Sequence, residues 1–166
     1  RVDEARGVWI LHGQEPLLEQ NVLDALRKSW TKHEVERQRY DLNSVSDWKT
    51  VFNALNSLSL FSQNLAIEVH GNIKPDANGL KQLKHYIQHN EQNLLLVIMP
   101  KQDSNSLKSS FFQLVEANGV VVPLTANYPQ DRQRILSNEA DQLGIQLNQN
   151  AWLWLEQHHE HNLLAA

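Results

Sequence analysis

A glycine ends the first apolar run of the chain, and a stretch with helical spacing follows it directly. This order is typical of a phosphate-binding loop of the form GxxxxGK[ST]. Such a loop needs a second glycine for close backbone approach, a lysine for the β- and γ-phosphates and a hydroxyl for magnesium. When Gly13 is taken as the first glycine, those three places hold Leu18, Glu19 and Gln20. We therefore expect a degenerate loop that binds no nucleotide.

The acidic residues near this loop also argue against a nucleotide site. Glu15 and Glu19 place two carboxylates at one turn, where they would repel a triphosphate. Glu68 lies inside the third apolar run and is not the terminal acidic pair that would hold magnesium. We favour an ordinary strand-to-helix turn, with Pro16 at the first helical position. A P-loop nucleotide-binding ATPase with a drifted motif is the alternative.

Three other sets of side chains could carry chemistry. The run from His158 to His161 has two histidines three residues apart, but a zinc site recruits further ligands and no matching cluster is evident. Ser59 has no evident His and Asp partner, so we expect no catalytic residue and no metal. The five tryptophans are not interleaved with Lys and Arg as in a single-strand binding platform, and we expect Trp152 and Trp154 to pack between helices.

The bulk composition narrows the function classes. The 166 residues include no cysteine, which excludes disulfides and thiolate metal sites, and the formal net charge of -4 gives no global attraction for nucleic acid. No run approaches the roughly 20 apolar residues that span a bilayer, and no signal peptide is evident. We predict a cytoplasmic protein without membrane contact. Because residue 1 is not Met and the last residues keep a helical pattern, we expect a fragment.

The apolar pattern predicts the architecture. Four short, continuously apolar runs are typical of buried strands, and a fifth, more polar run suits an edge strand. Stretches with apolar residues at three-and-four spacing lie between them and indicate helices. The predicted strands are 8–11, 37–42 at the edge, 65–69, 94–99 and 120–122, and the helices are 16–30, 47–57, 76–89 and 104–117. This alternation predicts an α/β fold with a doubly wound, five-stranded parallel sheet and right-handed crossovers.

The pattern changes after Val122. A turn-rich stretch from Pro123 to Pro129 precedes helical patterns at 130–143, at 148–158 and from Asn162 onward. We therefore predict two domains, an α/β domain over residues 1–126 and the beginning of an all-helical domain over residues 127–166.

Several segments carry a resemblance in their order and spacing. They are 11–18 (LHGQEPLL), 47–52 (DWKTVF), 58–62 (LSLFS), 140–145 (ADQLGI) and 162–165 (NLLA). Together they resemble the δ subunit family of the bacterial DNA polymerase III clamp loader, over almost the whole chain. The first segment is similar to the family's strand-turn-helix opening, the next two to its second helix and clamp-binding segment, and the last two to its helical second domain.

The resemblance implies a fold, partners and an activity. The fold would be an α/β module of the AAA+/RecA-like P-loop type, without ATPase activity or cofactor, followed by a truncated helical lid domain. The implied partners are the β sliding clamp, whose interface δ opens for loading onto DNA, and the γ/τ and δ′ subunits. DNA would be contacted indirectly through the complex. The family's third, oligomerising domain would lie beyond Ala166.

The resemblance also changes the interpretation of one apolar segment. From the residues alone, Leu60 and Phe61 are core side chains at a helix-to-strand connection, because apolar residues are usually inside. The resemblance implies instead that they project from a helix end into an apolar pocket of the clamp, with Leu58 adding packing area and Ser59 acting as a small spacer. We expect Leu58, Ser59, Leu60 and Phe61 to bind the clamp.

Overall fold

A five-stranded parallel sheet forms the centre of the protein. The computed structural model describes residues 5–58, 64–90, 92–125, 129–146 and 148–158. Its strands are β1 (Gly7–Gly13), β2 (Glu36–Asp41), β3 (Leu65–His70), β4 (Leu94–Pro100) and β5 (Val120–Leu124). They lie in the order β2-β3-β4-β1-β5, so the polar strand β2 is at an edge. The α/β class and the five-stranded parallel sheet predicted from the sequence are confirmed.

Seven helices lie within the described residues. They are α1 (Pro16–Lys32), α2 (Asp47–Leu58), α3 (Ala77–His89), α4 (Ser104–Leu107), α5 (Ser110–Asn118), α6 (Pro129–Leu143) and α7 (Gln149–His158). The prediction of one helix over 104–117 was wrong, because Lys108 ends α4 and Ser109 precedes α5. Asp103 caps α4 by accepting the Ser106 N–H at 2.6 Å, and short polar side chains such as serine favour such helix ends over helix interiors. The helix predicted from Asn162 lies outside the described residues.

One face of the sheet is apolar and is covered by α2, α3 and α5. Trp48 and Phe52 stack with ring centroids 5.7 Å apart, and Phe111 meets Trp48 at 5.9 Å. The indole of Trp48 also donates its Nε1 hydrogen to Ile73 O at 2.9 Å. These rings pack on alternate residues of the strands, because successive side chains point to opposite faces. The strand residues in this cluster are Val8, Ile10, Leu65, Ile67, Val69, Leu95, Val97 and Met99.

The opposite face is approached by α1. Glu68 alternates along β3 with Ile67 and Val69 of the apolar cluster, so its side chain points the other way. It meets Arg27 of α1 on that side. Helices therefore lie on both faces of the sheet, which confirms the doubly wound arrangement.

The described chain divides into two compact units. The first takes its residues from 1–13 and 23–123, and the second from 14–22 and 124–166. The domain boundary predicted between residues 126 and 127 falls within residues 126–128, outside the described ones. Within the described ranges, no helix is both long and apolar enough to cross a membrane.

The second unit has a small apolar cluster of its own. Leu17 and Leu136 are buried there, with Ile135 and Trp152 packed against them. Trp152 thus packs between helices as predicted. Trp154 of α7 is more exposed than the same prediction implies, with 54% of its residue surface accessible.

Candidate functional site

The connection between β1 and α1 is the place where a phosphate-binding loop would lie. β1 ends at Gly13 and α1 begins at Pro16, so only two residues separate them. The Glu19 N–H already donates to Glu15 O at 3.2 Å, which closes the first turn of α1. A phosphate cradle needs unpaired backbone N–H groups in a glycine-rich loop. Here the Glu19 N–H is already used within the first turn of α1.

The side chains of this turn do not supply the chemistry of phosphate binding either. Leu18 and Glu19 are half-buried in the first turns of α1, and Gln20 is exposed. Glu19 is the acidic residue of the first turn, where a carboxylate is favoured by the positive end of the helix dipole. A carboxylate at this position repels an anion, so the turn is suited to begin a helix and not to hold a triphosphate.

Glu68 is the acidic residue closest in sequence to the magnesium-binding place of an NTPase-like sheet. Its side chain is 0% exposed, and it accepts hydrogen bonds from Arg27 Nε at 3.2 Å and Arg27 Nη2 at 3.1 Å. Arg37 Nη2 of the edge strand lies 3.2 Å from its other oxygen, and His70 Nε2 lies 3.7 Å away. Both carboxylate oxygens are therefore neutralised from within the chain and are not open to a metal ion.

The environment of Glu68 keeps it ionised. Burial by itself raises the pKa of Glu68, but the adjacent His70 imidazole and the charges of Arg27 and Arg37 outweigh it, so the pKa lies below its usual value. A buried carboxylate is tolerated only when it is paired in this way. We therefore assign Glu68 to holding α1 and β2 against β3.

Helix α2 leads towards the segment expected to bind the clamp. At its start, the Asp47 carboxylate accepts the backbone N–H groups of Asn43 at 2.7 Å and Ser44 at 2.8 Å, which lowers the pKa of Asp47. Trp48, with other apolar residues of α2, is buried in the core. The helix is thus fixed by its first turn and its inner face, and it ends at Leu58.

The structure describes some of the predicted site residues and not others. Gly13, at the end of β1, and residues 18–20 in α1 are described. Leu58 is the last residue of α2, whereas Ser59, Leu60 and Phe61 lie outside the described residues. Their role in clamp binding stays a prediction.

Of the histidine run, the structure describes only the backbone of His158, the last residue of α7; residues 159–161 lie outside the described ranges. Within those ranges, no group of three or more His, Cys, Asp or Glu side chains comes together that could hold a metal ion.

Sequence reasoning missed two groups of polar side chains. The partners of Glu68 come from α1 and β2, and Arg27 is 41 residues away in the chain, so no local pattern indicates this cluster. His85 and His89 of α3 have ring centroids 4.1 Å apart. Their spacing of four on a predicted helix was a sufficient signal, since such residues share a face.

Comparison with known families identifies the chain. Residues 9–125, well over half of its length, match the family described as DNA polymerase III, delta subunit. This chain belongs to that family. The match includes the β1–α1 turn, Glu68 and helix α2, so the degenerate turn is part of a δ-family sequence. Among curated proteins, no sequence gives a significant match.

Solved structures agree with the fold. The DNA clamp loader delta protein of Bacillus subtilis matches with a TM-score of 0.61 at 14% identity, over 92% of this chain and 48% of that one. A replication initiator DnaA, solved with AMPPCP and single-stranded DNA, gives 0.58 at 11% identity over 98% and 53%. A RuvB variant of Thermotoga maritima gives 0.54 at 13% identity over 93% and 50%. The chain spans about half the length of these proteins, and the AAA+-like fold is confirmed.

Proposed function

We propose that this chain is the part of a clamp-loader δ subunit that binds the β sliding clamp and holds its interface open for loading onto DNA. Membership of the δ family over residues 9–125 is the observation that carries the proposal. The fold match to the Bacillus subtilis clamp loader delta protein supports it. The contact is made by Leu58, Ser59, Leu60 and Phe61, which follow the core-packed part of α2.

The physical basis of the contact is apolar burial. An adjacent Leu and Phe beyond a fixed helix can enter an apolar pocket, where each buried side chain contributes roughly 1.5–3 kcal/mol. Two such side chains form a hot spot. Because α2 is held by Asp47 at its start and by Trp48 in the core, it presents the following segment from a fixed base.

The chain acts without a catalytic site or nucleotide of its own. Three observations support this part of the proposal: the helical commitment of the Glu19 N–H, the carboxylate where a lysine is needed, and the pairing of Glu68 with two arginines. The chain takes its place in a cytoplasmic loader with the γ/τ and δ′ subunits, and it reaches DNA through that complex.

Binding to an immobilised β clamp tests the proposal. The variant Leu60→Ala with Phe61→Ala removes both anchors, so we expect at least about 100-fold weaker binding, which corresponds to the two burial energies together. A matched control, Leu143→Ala with Leu153→Ala, truncates two exposed apolar residues of the helical unit and should bind normally. Circular dichroism separates the alternatives, because an unfolded double variant would mean that Leu60 and Phe61 are core residues.

A second titration tests independence from nucleotide. We expect no saturable binding of a fluorescent ATP analogue at micromolar concentrations, with or without magnesium. Micromolar binding that is lost on changing residues 14–20 would instead support a drifted P-loop.

A further inference from the structure

Two histidines of α3 are close together at the surface. His85 and His89 are both exposed, and their rings are inclined by 32° with centroids 4.1 Å apart. Residues four apart on a helix share one face, so both imidazoles are accessible to the same ion. Imidazole is a common ligand for zinc, copper and nickel. We propose that His85 and His89 bind one exchangeable divalent transition-metal ion such as Zn²⁺ or Ni²⁺.

The hydrogen bond of His89 assigns its ligand atom. Nδ1 of His89 lies 2.8 Å from the backbone oxygen of His85. Because a carbonyl oxygen only accepts, Nδ1 carries the proton and donates it, and the lone pair of the neutral ring is on Nε2. Metal-binding histidines almost always donate their second ring N–H to a carbonyl, a carboxylate or water in this way. His89 has this arrangement before any metal binds.

The separation of the two rings suits a single ion. Zinc–imidazole bonds are about 2.0–2.1 Å long, so two nitrogens on one ion lie about 3 Å apart. Rings whose centroids are 4.1 Å apart are close enough for one ring nitrogen of each to bind the same ion after rotation of the side chains. No third metal-ligating side chain completes the set among the described residues, so water takes the other coordination positions. The bound ion therefore exchanges readily.

The charges around the pair set its strength. Lys81 lies one helical turn before His85 on the same face and is exposed, so it opposes the approach of a cation. Salt screens this repulsion between exposed charges. We expect a site weaker than one with three protein ligands, and one that strengthens slightly as the salt concentration rises.

A metal at this position would act on the end of α3. Tyr86, between the two histidines, donates its hydroxyl to Asn93 O at 3.0 Å, and Asn90 Nδ2 donates to the same oxygen at 2.7 Å. Asn93 Oδ1 in turn accepts the Leu65 N–H at the start of β3. An ion that bridges the last turn thus stabilises the helix end that organises the amino ends of β3 and β4. Because the ion would bind the folded chain and not the unfolded chain, it would raise the melting temperature.

Metal titration of the chain tests the site independently of clamp binding. The background variant carries His158→Gln, His159→Gln and His161→Gln, which removes the other histidine cluster. We expect this variant to bind one Ni²⁺ or Zn²⁺ by calorimetry and to melt at a higher temperature with Zn²⁺. Mg²⁺, which prefers oxygen ligands, should have no effect.

Single changes in this background decide the outcome. His85→Gln or His89→Gln should weaken binding at least about tenfold, whereas His33→Gln, at an exposed histidine outside the pair, should not change it. Paramagnetic Ni²⁺ should broaden the imidazole NMR signals of His85 and His89 before those of His33. Failure of the background variant to bind Ni²⁺, or binding that is unchanged by both substitutions, would overturn the proposal.

Discussion

Both faces of the sheet carry buried apolar residues, but one face also holds a buried carboxylate paired with arginines. On one face, α2, α3 and α5 pack through apolar side chains, including Trp48, Phe52 and Phe111. On the other, α1 contributes the buried apolar residues Leu23, Leu26 and Trp30, and a fully buried Glu68 meets Arg27 of the same helix. Apolar burial is strong but without direction, whereas charged hydrogen bonds fix an orientation. The difference indicates that apolar burial stabilises both faces, and that Glu68, on what we call the charged face, also sets how α1 lies on the sheet.

The charged face also shows why an acidic residue in a strand such as β3 need not bind a metal. A carboxylate next to the carboxyl end of β3 is a ligand for magnesium only if its oxygens are open. In this chain Arg27 and Arg37 take both oxygens of Glu68, and the residue becomes a structural connection. An acidic residue in such a strand is therefore not by itself an indication of catalysis.

The largest effect is expected on the apolar face. Trp48→Ala removes a buried indole and its hydrogen bond to Ile73 O, and we expect the free energy of unfolding to fall by about 3–5 kcal/mol. Urea unfolding measures the change. Val45→Ala, at an exposed apolar residue just before α2, is the control and should change stability by less than about 0.5 kcal/mol. A loss below about 1 kcal/mol for Trp48→Ala would contradict the assignment of stability to this face.

A smaller loss is expected on the charged face. Glu68→Gln leaves Arg27 and Arg37 without their carboxylate; because their side chains are 33% and 41% exposed, water offsets part of the cost and we expect about 2–3 kcal/mol. Asp24→Asn removes an exposed carboxylate 4.0 Å from Arg27 and should cost less than about 0.5 kcal/mol. Equal effects of the two substitutions would show that burial of Glu68 is not what matters.

The comparison of the unchanged chain with Glu68→Gln also gives a pH dependence of the free energy of unfolding. The folded pKa of Glu68 lies below its unfolded value, so its stabilisation is complete above the ordinary pKa of about 4.5 and is lost as the pH falls through the folded pKa. Glutamine at position 68 does not titrate. The stability difference between the chain and Glu68→Gln should therefore be largest at pH 7 and shrink in strong acid. A difference that stays constant down to pH 2 would exclude the ion pairs as its source.

The smallest effect is expected at a helix end on the apolar side. Asp76 caps α3 by accepting the Gly79 N–H at 2.8 Å, and Asp76→Ala should cost about 1 kcal/mol. Asp76→Asn keeps an acceptor that caps helices about equally well, so it should be close to neutral. If the alanine variant were as unstable as Trp48→Ala, the caps and not the rings would hold this face.

The sequence predicts the strands through local patterns, but it does not predict every helix end or the exposure of every side chain. Continuous apolar runs determine buried strands locally, so the parallel sheet and its polar edge were predictable. The break between α4 and α5 was not, because α4 ends at Lys108 and the backbone of Ser109 is extended, which a three-and-four pattern does not register. The exposure of Trp154 was also missed, because a large apolar ring is usually expected to be buried.

Some features of the candidate site could be predicted from the sequence, and others could not. Loss of the phosphate-binding chemistry is visible in the residue types at 18–20, since a carboxylate cannot replace a lysine. The partners of Glu68 could not be predicted, because they depend on strand order and on the approach of α1. The clamp-binding role of Leu60 and Phe61 rests on family resemblance, since an adjacent apolar pair suits a core and an interface equally well.

The affinity of this chain for an immobilised β sliding clamp is the most direct test of its proposed function. We predict saturable binding that needs no nucleotide and that falls at least about 100-fold in the folded variant Leu60→Ala with Phe61→Ala. Absence of clamp binding by the folded chain, or unchanged binding by that variant, would contradict the proposal.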